Sequence, residues 1–298
     1  MENCLKTQLK ATVSNGNLEK LGEFKFGISG TNTFQGAATE VTELKISDDY
    51  PNVTFSNGQR AMNLGTGTTT VATSAACDVI LTNKYNLLRV DSNAAAKFEC
   101  DIDKLQYSPM TVLKMFSGSS SGANGEITGH TSKIPTSIEI LGLYSDHILY
   151  DGLPSFPNLK VYDSVFSEPV DINEIANKCS VIETVCGFRG NIKGNIETLP
   201  AKVTMETLRF ENRSATLHNE VTGNIASLGT WRALTTLNIS DSKISGNVSD
   251  LLDAMYNSGS GRTSGSITIT VNSIVTNVSG AAATQVYNFS AGGWAMAE

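Results

Sequence analysis

The stretch Leu234 to Leu252, L-T-T-L-N-I-S-D-S-K-I-S-G-N-V-S-D-L-L, constrains the fold more than any other. Leu234, Leu237 and Ile239 are spaced three and then two residues apart. The alternation Leu237-x-Ile239 predicts a short strand with one buried face. The polar pair Asp241-Ser242 ends that strand. Ile244-x-Gly246-x-Val248 then predicts a turn tucked against the same core, with Gly246 admitting a backbone angle that other residues resist. Ser249 or Asp250 is placed to cap a helical run that reaches Tyr256. Strand, tuck, helical turn and return make one coil. A single coil cannot bury its own apolar face, so the chain must hold neighbours for it.

Those neighbours recur from end to end. The opening pattern appears as Leu21-x-x-Phe24-x-Phe26, Val41-x-x-Leu44-x-Ile46, Tyr85-x-x-Leu88-x-Val90 and Met110-x-x-Leu113-x-Met115. It continues as Ile138-x-x-Leu141-x-Leu143, Phe156-x-x-Leu159-x-Val161, a weaker start near Val181 or Ile182, and Met205-x-x-Leu208-x-Phe210. A final polar version is Ile267-x-Ile269. From residue 85 onward the starts are spaced so as to bracket a repeat period of roughly 20–29 residues. The predicted repeat core is Leu44, Ile46, Leu88, Val90, Leu113, Leu141, Leu143, Leu159, Val161, Leu208, Phe210, Leu237, Ile239, Ile244 and Val248. These residues read as packing, not as a site, so function is expected on the polar faces and loops around them.

The remaining segments read as caps and connections. Asn15-Gly16 between alternating residues predicts an N-terminal β-hairpin cap. Residues 50–82 break the pattern with a Thr/Gly/Ala tract and are expected to form either degenerate coils or an inserted loop. Asp171 and Glu174 have capping-box spacing for a short helix ending near Lys178. Ile267–Val271 and Val286–Phe289 predict strands of a C-terminal β cap. Its apolar tip carries Trp294, as a plug over the last coil or, if exposed, a docking anchor. The expected division is a β-rich cap or docking region over 1–82, a repeat body over 83–256 and a C-terminal β cap over 257–298.

The frame L-x-x-L-x-I with a polar ninth residue resembles the leucine-rich repeat. Ile192-Lys-Gly-Asn-Ile196, Val221-Thr-Gly-Asn-Ile225 and Ile244-Ser-Gly-Asn-Val248 are similar to the I-x-G-x-I element of its plant-type subclass. The resemblance implies an α/β, β-dominated fold, an irregular leucine-rich-repeat-like solenoid; a β-sandwich is the alternative. The ninth position departs from the family: it is Asn at Asn93 and Asn272 but Asp at Asp146, so an unbroken asparagine ladder is not expected. Taken whole, a Ser/Thr/Asn/Gly-rich repeat chain with an N-terminal hairpin also resembles virion proteins of tailed phages infecting gut Bacteroidales. That resemblance implies a capsid decoration, head-fibre or tail component whose partners are other virion proteins or a host surface receptor. It further implies a homo-oligomer or a chain docked on a symmetric assembly. A bacterial repeat protein binding host protein or glycan at the cell surface is the alternative.

The chemistry points the same way. With a net charge of −7 and only 17% charged residues, the chain is a poor nucleic-acid partner. The start Met1-Glu2-Asn3-Cys4-Leu5-Lys6-Thr7 has no basic head before an apolar run, so no secretory signal and synthesis in the host cytoplasm are expected. No segment approaches the roughly 18 apolar residues of a membrane helix. Cys4, Cys77, Cys100, Cys179 and Cys186 have no C-x-x-C spacing and are expected to be reduced, with a Cys179–Cys186 bridge as the alternative. His130, His147 and His218 are scattered, and neither Asp48-Asp49 nor Asp101-x-Asp103 supplies the oxygens of a calcium site. No catalytic residue, cofactor or metal site is predicted, and the N-x-S/T sequons at Asn52, Asn212, Asn238, Asn247, Asn277 and Asn288 read as polar turn positions.

Overall fold

The computed structural model describes residues 23–28, 31–36, 42–82, 87–92, 98–116, 126–187, 191–200, 204–211, 218–256, 266–271, 274–279, 287–290 and 293–296. The hairpin expected at Asn15-Gly16 and the ninth-position residues Asn93 and Asn272 lie outside them. The protein is β-dominated, with few helices, and its sheets are mostly antiparallel in the first part of the chain and mostly parallel in the second. It divides into two compact units, residues 1–129 with 133–135, and residues 130–132 with 136–298.

The first unit contains β1 (Glu23–Ile28), β2 (Thr31–Gly36), β3 (Thr42–Ile46), β4 (Ala61–Leu64), β5 (Thr69–Ala72), β6 (Cys77–Thr82), β7 (Leu87–Ser92), β8 (Phe98–Asp101), β9 (Val112–Phe116) and β10 (Ile127–His130). Here one sheet runs β4-β3-β6-β1-β8-β10 and is antiparallel up to the parallel pair β8–β10. The other runs β5-β2-β7-β9 and turns parallel at β7–β9. Alternation drives both. Phe24, Phe26 and Ile28 are buried from β1, and Cys77, Val79 and Leu81 from β6. Phe26 meets Phe34 of β2 with ring centroids 5.7 Å apart, a tilted pairing that adds to the area each ring buries. Residues 61–82 therefore form three strands, β4 to β6, each antiparallel to its partners, where stacked coils would pair in parallel.

In the second unit the chain alternates between two sheets. One holds β11 (Ile140–Tyr144), β13 (Val161–Tyr162), β15 (Thr184–Gly187), β17 (Thr207–Phe210), β19 (Thr236–Asn238) and β21 (Ser266–Val271), all parallel, followed by antiparallel β22 (Ile274–Ser279). The two-residue strand β12 is Ile148–Leu149. The other sheet holds parallel β14 (Val170–Asp171), β16 (Ile192–Asn195), β18 (Glu220–Asn224) and β20 (Lys243–Asn247), then antiparallel β23 (Tyr287–Ser290) and β24 (Gly293–Met296). Each passage from the second sheet back to the first uses a short helix: α1 (Ile172–Lys178), 3-10 turns at Ile196–Thr198 and Ile225–Thr230, and α2 (Val248–Tyr256).

Register lines the core up in columns. Leu141, Tyr162, Val185, Leu208, Leu237 and Ile269 are successive Cα partners, and every one is buried. Ile138, Leu159, Ile182, Met205 and Leu234, three residues earlier in each pass, are buried beside them. In the passes of β11, β15, β17 and β19 this is the predicted frame. In the pass of β13 the frame slips by three, because Tyr162 rather than Leu159 stands in line with Leu141.

The Gly-Asn step of the second sheet has a steric cause. Asp171, Asn195 and Asn224 each cap the helical turn that follows, accepting from the backbone N–H of Asn173 (2.8 Å), Glu197 (2.9 Å) and Ala226 (2.9 Å). The next pass lays a glycine over each cap: Gly194 over Asp171, Gly223 over Asn195 and Gly246 over Asn224. At Gly223, φ is +117°, and a β-carbon would stand 2.5 Å from Asn195 Oδ1 and 2.7 Å from Ile196 Cγ1. Only glycine satisfies both the backbone angle and the clearance. Asn195 after Gly194 and Asn224 after Gly223 then supply the caps for their own passes. Helix α1 forms where the capping spacing predicts, but Glu174 does not close a box: its carboxylate accepts the Leu153 N–H (2.8 Å) and the Tyr150 hydroxyl.

Candidate interaction surface

The half-buried register positions of the first sheet in the second unit are polar over most of its length. Ile140, Val161, Thr184, Thr207, Thr236 and Thr268 are successive Cα partners, each beside a buried column residue and each only half-buried. All six are β-branched, as a pleated sheet favours, and the last four are threonines. A second register line runs Cys186, Arg209, Asn238 and Thr270. Arg209 Nε donates to Glu211 Oε1 at 2.9 Å, and Asn238 Nδ2 donates to the same oxygen at 3.0 Å. Asn238 Oδ1 in turn accepts the Ser240 N–H at 3.0 Å. Ahead of the threonine line, Lys160 pairs with Glu139 at 3.7 Å, both side chains close to half exposed.

Between the two sheets a series of buried polar residues links one pass to the next. Ser164 Oγ accepts the Leu143 N–H at 3.0 Å, and Asn191 Nδ2 donates to the Ser164 carbonyl. Asn219 Nδ2 donates to the Gly187 carbonyl at 2.9 Å while its Oδ1 accepts the Ile192 N–H at 3.2 Å. Asp241 ends the series: Oδ2 accepts from Asn219 N (3.0 Å) and Nδ2 (2.9 Å), and Oδ1 lies 2.8 Å from His218 Nδ1. The Asp241 side chain is 6% exposed and the His218 ring 60%. An imidazole at the surface thus meets a buried carboxylate, and N–H groups of Asn219 satisfy the carboxylate's other oxygen. His218 stands at the surface, and no spacing in the sequence marks its tie to Asp241. Asn191, Asn219 and Asp241 do the bridging that a fixed ninth position cannot locate, because they stand at different distances from their strands. Of the ninth-position residues named from sequence, Asp146 is exposed beside His147.

Of the predicted core, Leu44, Ile46, Val90, Leu113, Leu141, Leu143, Leu159, Leu208, Phe210, Leu237, Ile239, Ile244 and Val248 are buried. Leu88 and Val161 are half-exposed, and the buried places go to Leu87 and Tyr162 next to them. Trp294 lies on β24, opposite Phe289 of β23; its side chain lies outside the described residues. Asp48 and Asp49 are exposed and pair with cations, Lys45 to Asp48 at 3.3 Å and Lys25 to Asp49 at 3.8 Å. Asp101 caps the turn Ile102–Leu105 through the Asp103 N–H. Cys77, Cys100, Cys179 and Cys186 are free thiols and buried; burial pushes Cys100 well up from its ordinary value.

Among the described residues, no three His, Cys, Asp or Glu side chains gather as metal ligands would, and no helix is long and apolar enough to cross a membrane. The exposed carboxylate of Asp151 accepts three hydrogen bonds, from Thr131 Oγ1 and from the N–H and hydroxyl of Ser132. Burial works against its charge, yet hydrogen bonds from Ser132 and Thr131 hold its pKa below the ordinary 3.8. Tyr150 is pushed upward, first by burial and then by its hydrogen bond to Glu174. No family model, curated protein or solved structure matches the chain.

Proposed function

We propose that the second unit is an irregular leucine-rich-repeat-like solenoid ended by an antiparallel β cap. On this reading the protein is a non-enzymatic structural or recognition component. The observation that supports it is the in-register column from Leu141 to Ile269, which sets the half-buried positions beside it in equally regular lines. Rigid repeat surfaces of this kind suit attachment and decoration, since their contacts spread over many passes instead of converging on one reacting atom.

Within that class we propose a phage virion component, for capsid decoration, a head fibre or the tail, which meets other virion proteins or a host surface receptor. This rests on the sequence resemblance. Mass spectrometry of purified virions is the test, and finding the chain at the stoichiometry of a structural protein is the expected result. If it is absent from virions but cleaved by protease applied to intact bacteria, the protein is instead a cell-surface repeat protein.

A further inference from the structure

We propose that β22 is a self-association edge, pairing antiparallel with β22 of a second copy about a two-fold axis so that the first sheet of the second unit continues into its partner. Among the described residues β22 pairs on one side only, with β21. It is six residues long, whereas the other strands that end a sheet, β4, β5, β12, β14 and β24, have four or fewer. β5 is also covered: Phe55 bridges Thr73 just beyond it, and Ser56 N donates to the Ala72 carbonyl at 2.8 Å.

The composition of β22 selects the occupant. Exposed edges are ordinarily blunted by charge, proline or a bulge, and Ile274-Val-Thr-Asn-Val-Ser279 has no charge and no proline, while its six residues pair with β21 without a register shift. The chain carries a net charge of −7, so two copies meeting over most of their surfaces repel. An uncharged strand adds no close like-charge contact to that cost when a second copy approaches. Antiparallel self-pairing also closes: a two-fold axis turns the edge onto itself and leaves neither copy with an open β22, which gives a dimer and not a fibre. A six-residue strand pair is a small interface, so the dimer should dissociate on dilution. This inference stands apart from the virion reading, since it concerns only how two copies meet.

The test is sedimentation of the full chain at concentrations up to about 100 µM. The wild type should approach twice its 31.7 kDa mass in a concentration-dependent way. Like charges at the centre of the strand meet their own copies in either register, so Thr276→Lys/Asn277→Lys should remain monomeric, as should Thr276→Glu/Asn277→Glu. Mixing the Lys and Glu variants should restore the dimer. The inference is overturned if the wild type is monomeric, if either charged variant still dimerises alone, or if the mixture stays monomeric. The mixture also separates edge repulsion from misfolding, because misfolded chains would not recombine.

Discussion

Replacing Gly223 by alanine isolates the device that stacks one pass on the next. The backbone there sits at φ +117°, and holding a non-glycine residue in such a region costs about 1–3 kcal/mol. The new methyl must also displace Asn195 Oδ1 and Ile196 Cγ1, both closer than any real β-carbon contact, which adds about 1–3 kcal/mol of overpacking. Alanine's smaller unfolded-state entropy returns about 0.4–1 kcal/mol. The net loss is about 1–6 kcal/mol. Gly65→Ala is the matched control: it has no positive φ and nothing within 4 Å, so it should be neutral or slightly stabilising. Urea unfolding followed by circular dichroism, with hydrogen exchange along β16, β18 and β20, measures both. Asn195→Ala removes the cap, at about 0.5–2 kcal/mol, but also removes the obstructing oxygen, so Gly223→Ala should cost less in that background. If Gly223→Ala unfolds at the same urea concentration as Gly65→Ala, the steric account of the Gly-Asn step is wrong.

Three further outcomes are expected. Leu237→Ala, in the middle of the buried column, should cost about 2–5 kcal/mol by chemical denaturation, while the half-exposed Val161→Ala should cost well under that. Asp241→Ala strands the Asn219 backbone N–H and one of its amide N–H groups and should cost about 1–3 kcal/mol, whereas His218→Ala, removing a largely exposed ring, should cost at most about 1 kcal/mol; equal losses would place the stabilisation in the His218–Asp241 contact instead. Because the folded pKa of Asp151 lies below 3.8, its stabilisation is fully present above that value and is lost as pH falls through the lower folded pKa. Thermal unfolding below pH 5 should therefore show a shallower acid loss in Asp151→Asn than in the wild type.

Much of the second unit was legible because its passes repeat local patterns. Leu208, Phe210, Leu237 and Ile239 alternate strictly, and the three I-x-G-N segments carry their glycine for a reason that one copy already states. Legibility failed where the signal is not local. Leu159 and Tyr162 both suit the frame of their pass, and only the parallel register with Leu141 decides for Tyr162. At β7 the neighbours Leu87 and Leu88 are the same residue, so sequence could not say which one is buried. Cys77-x-Val79-x-Leu81 does alternate, but the Thr/Gly/Ala tract before it has no period of its own, so degenerate coils and an inserted loop fit it equally. The bridge from Asn219 to Asp241 joins turns of unequal length, and no spacing rule would pair them.

The proposed solenoid makes the segment between one register position and the next a removable unit. Deleting residues 184–206 takes out one pass, bringing Thr207 to the place of Thr184 beside β13 and Gly223 to the place of Gly194 over Asp171. Hydrogen exchange across β13, β17 and β19 should then stay protected, with a cooperative unfolding transition. Deleting 184–195 instead removes half a pass and should abolish that protection. Equal loss of protection in both deletions, or equal retention, would contradict the coil as the structural unit.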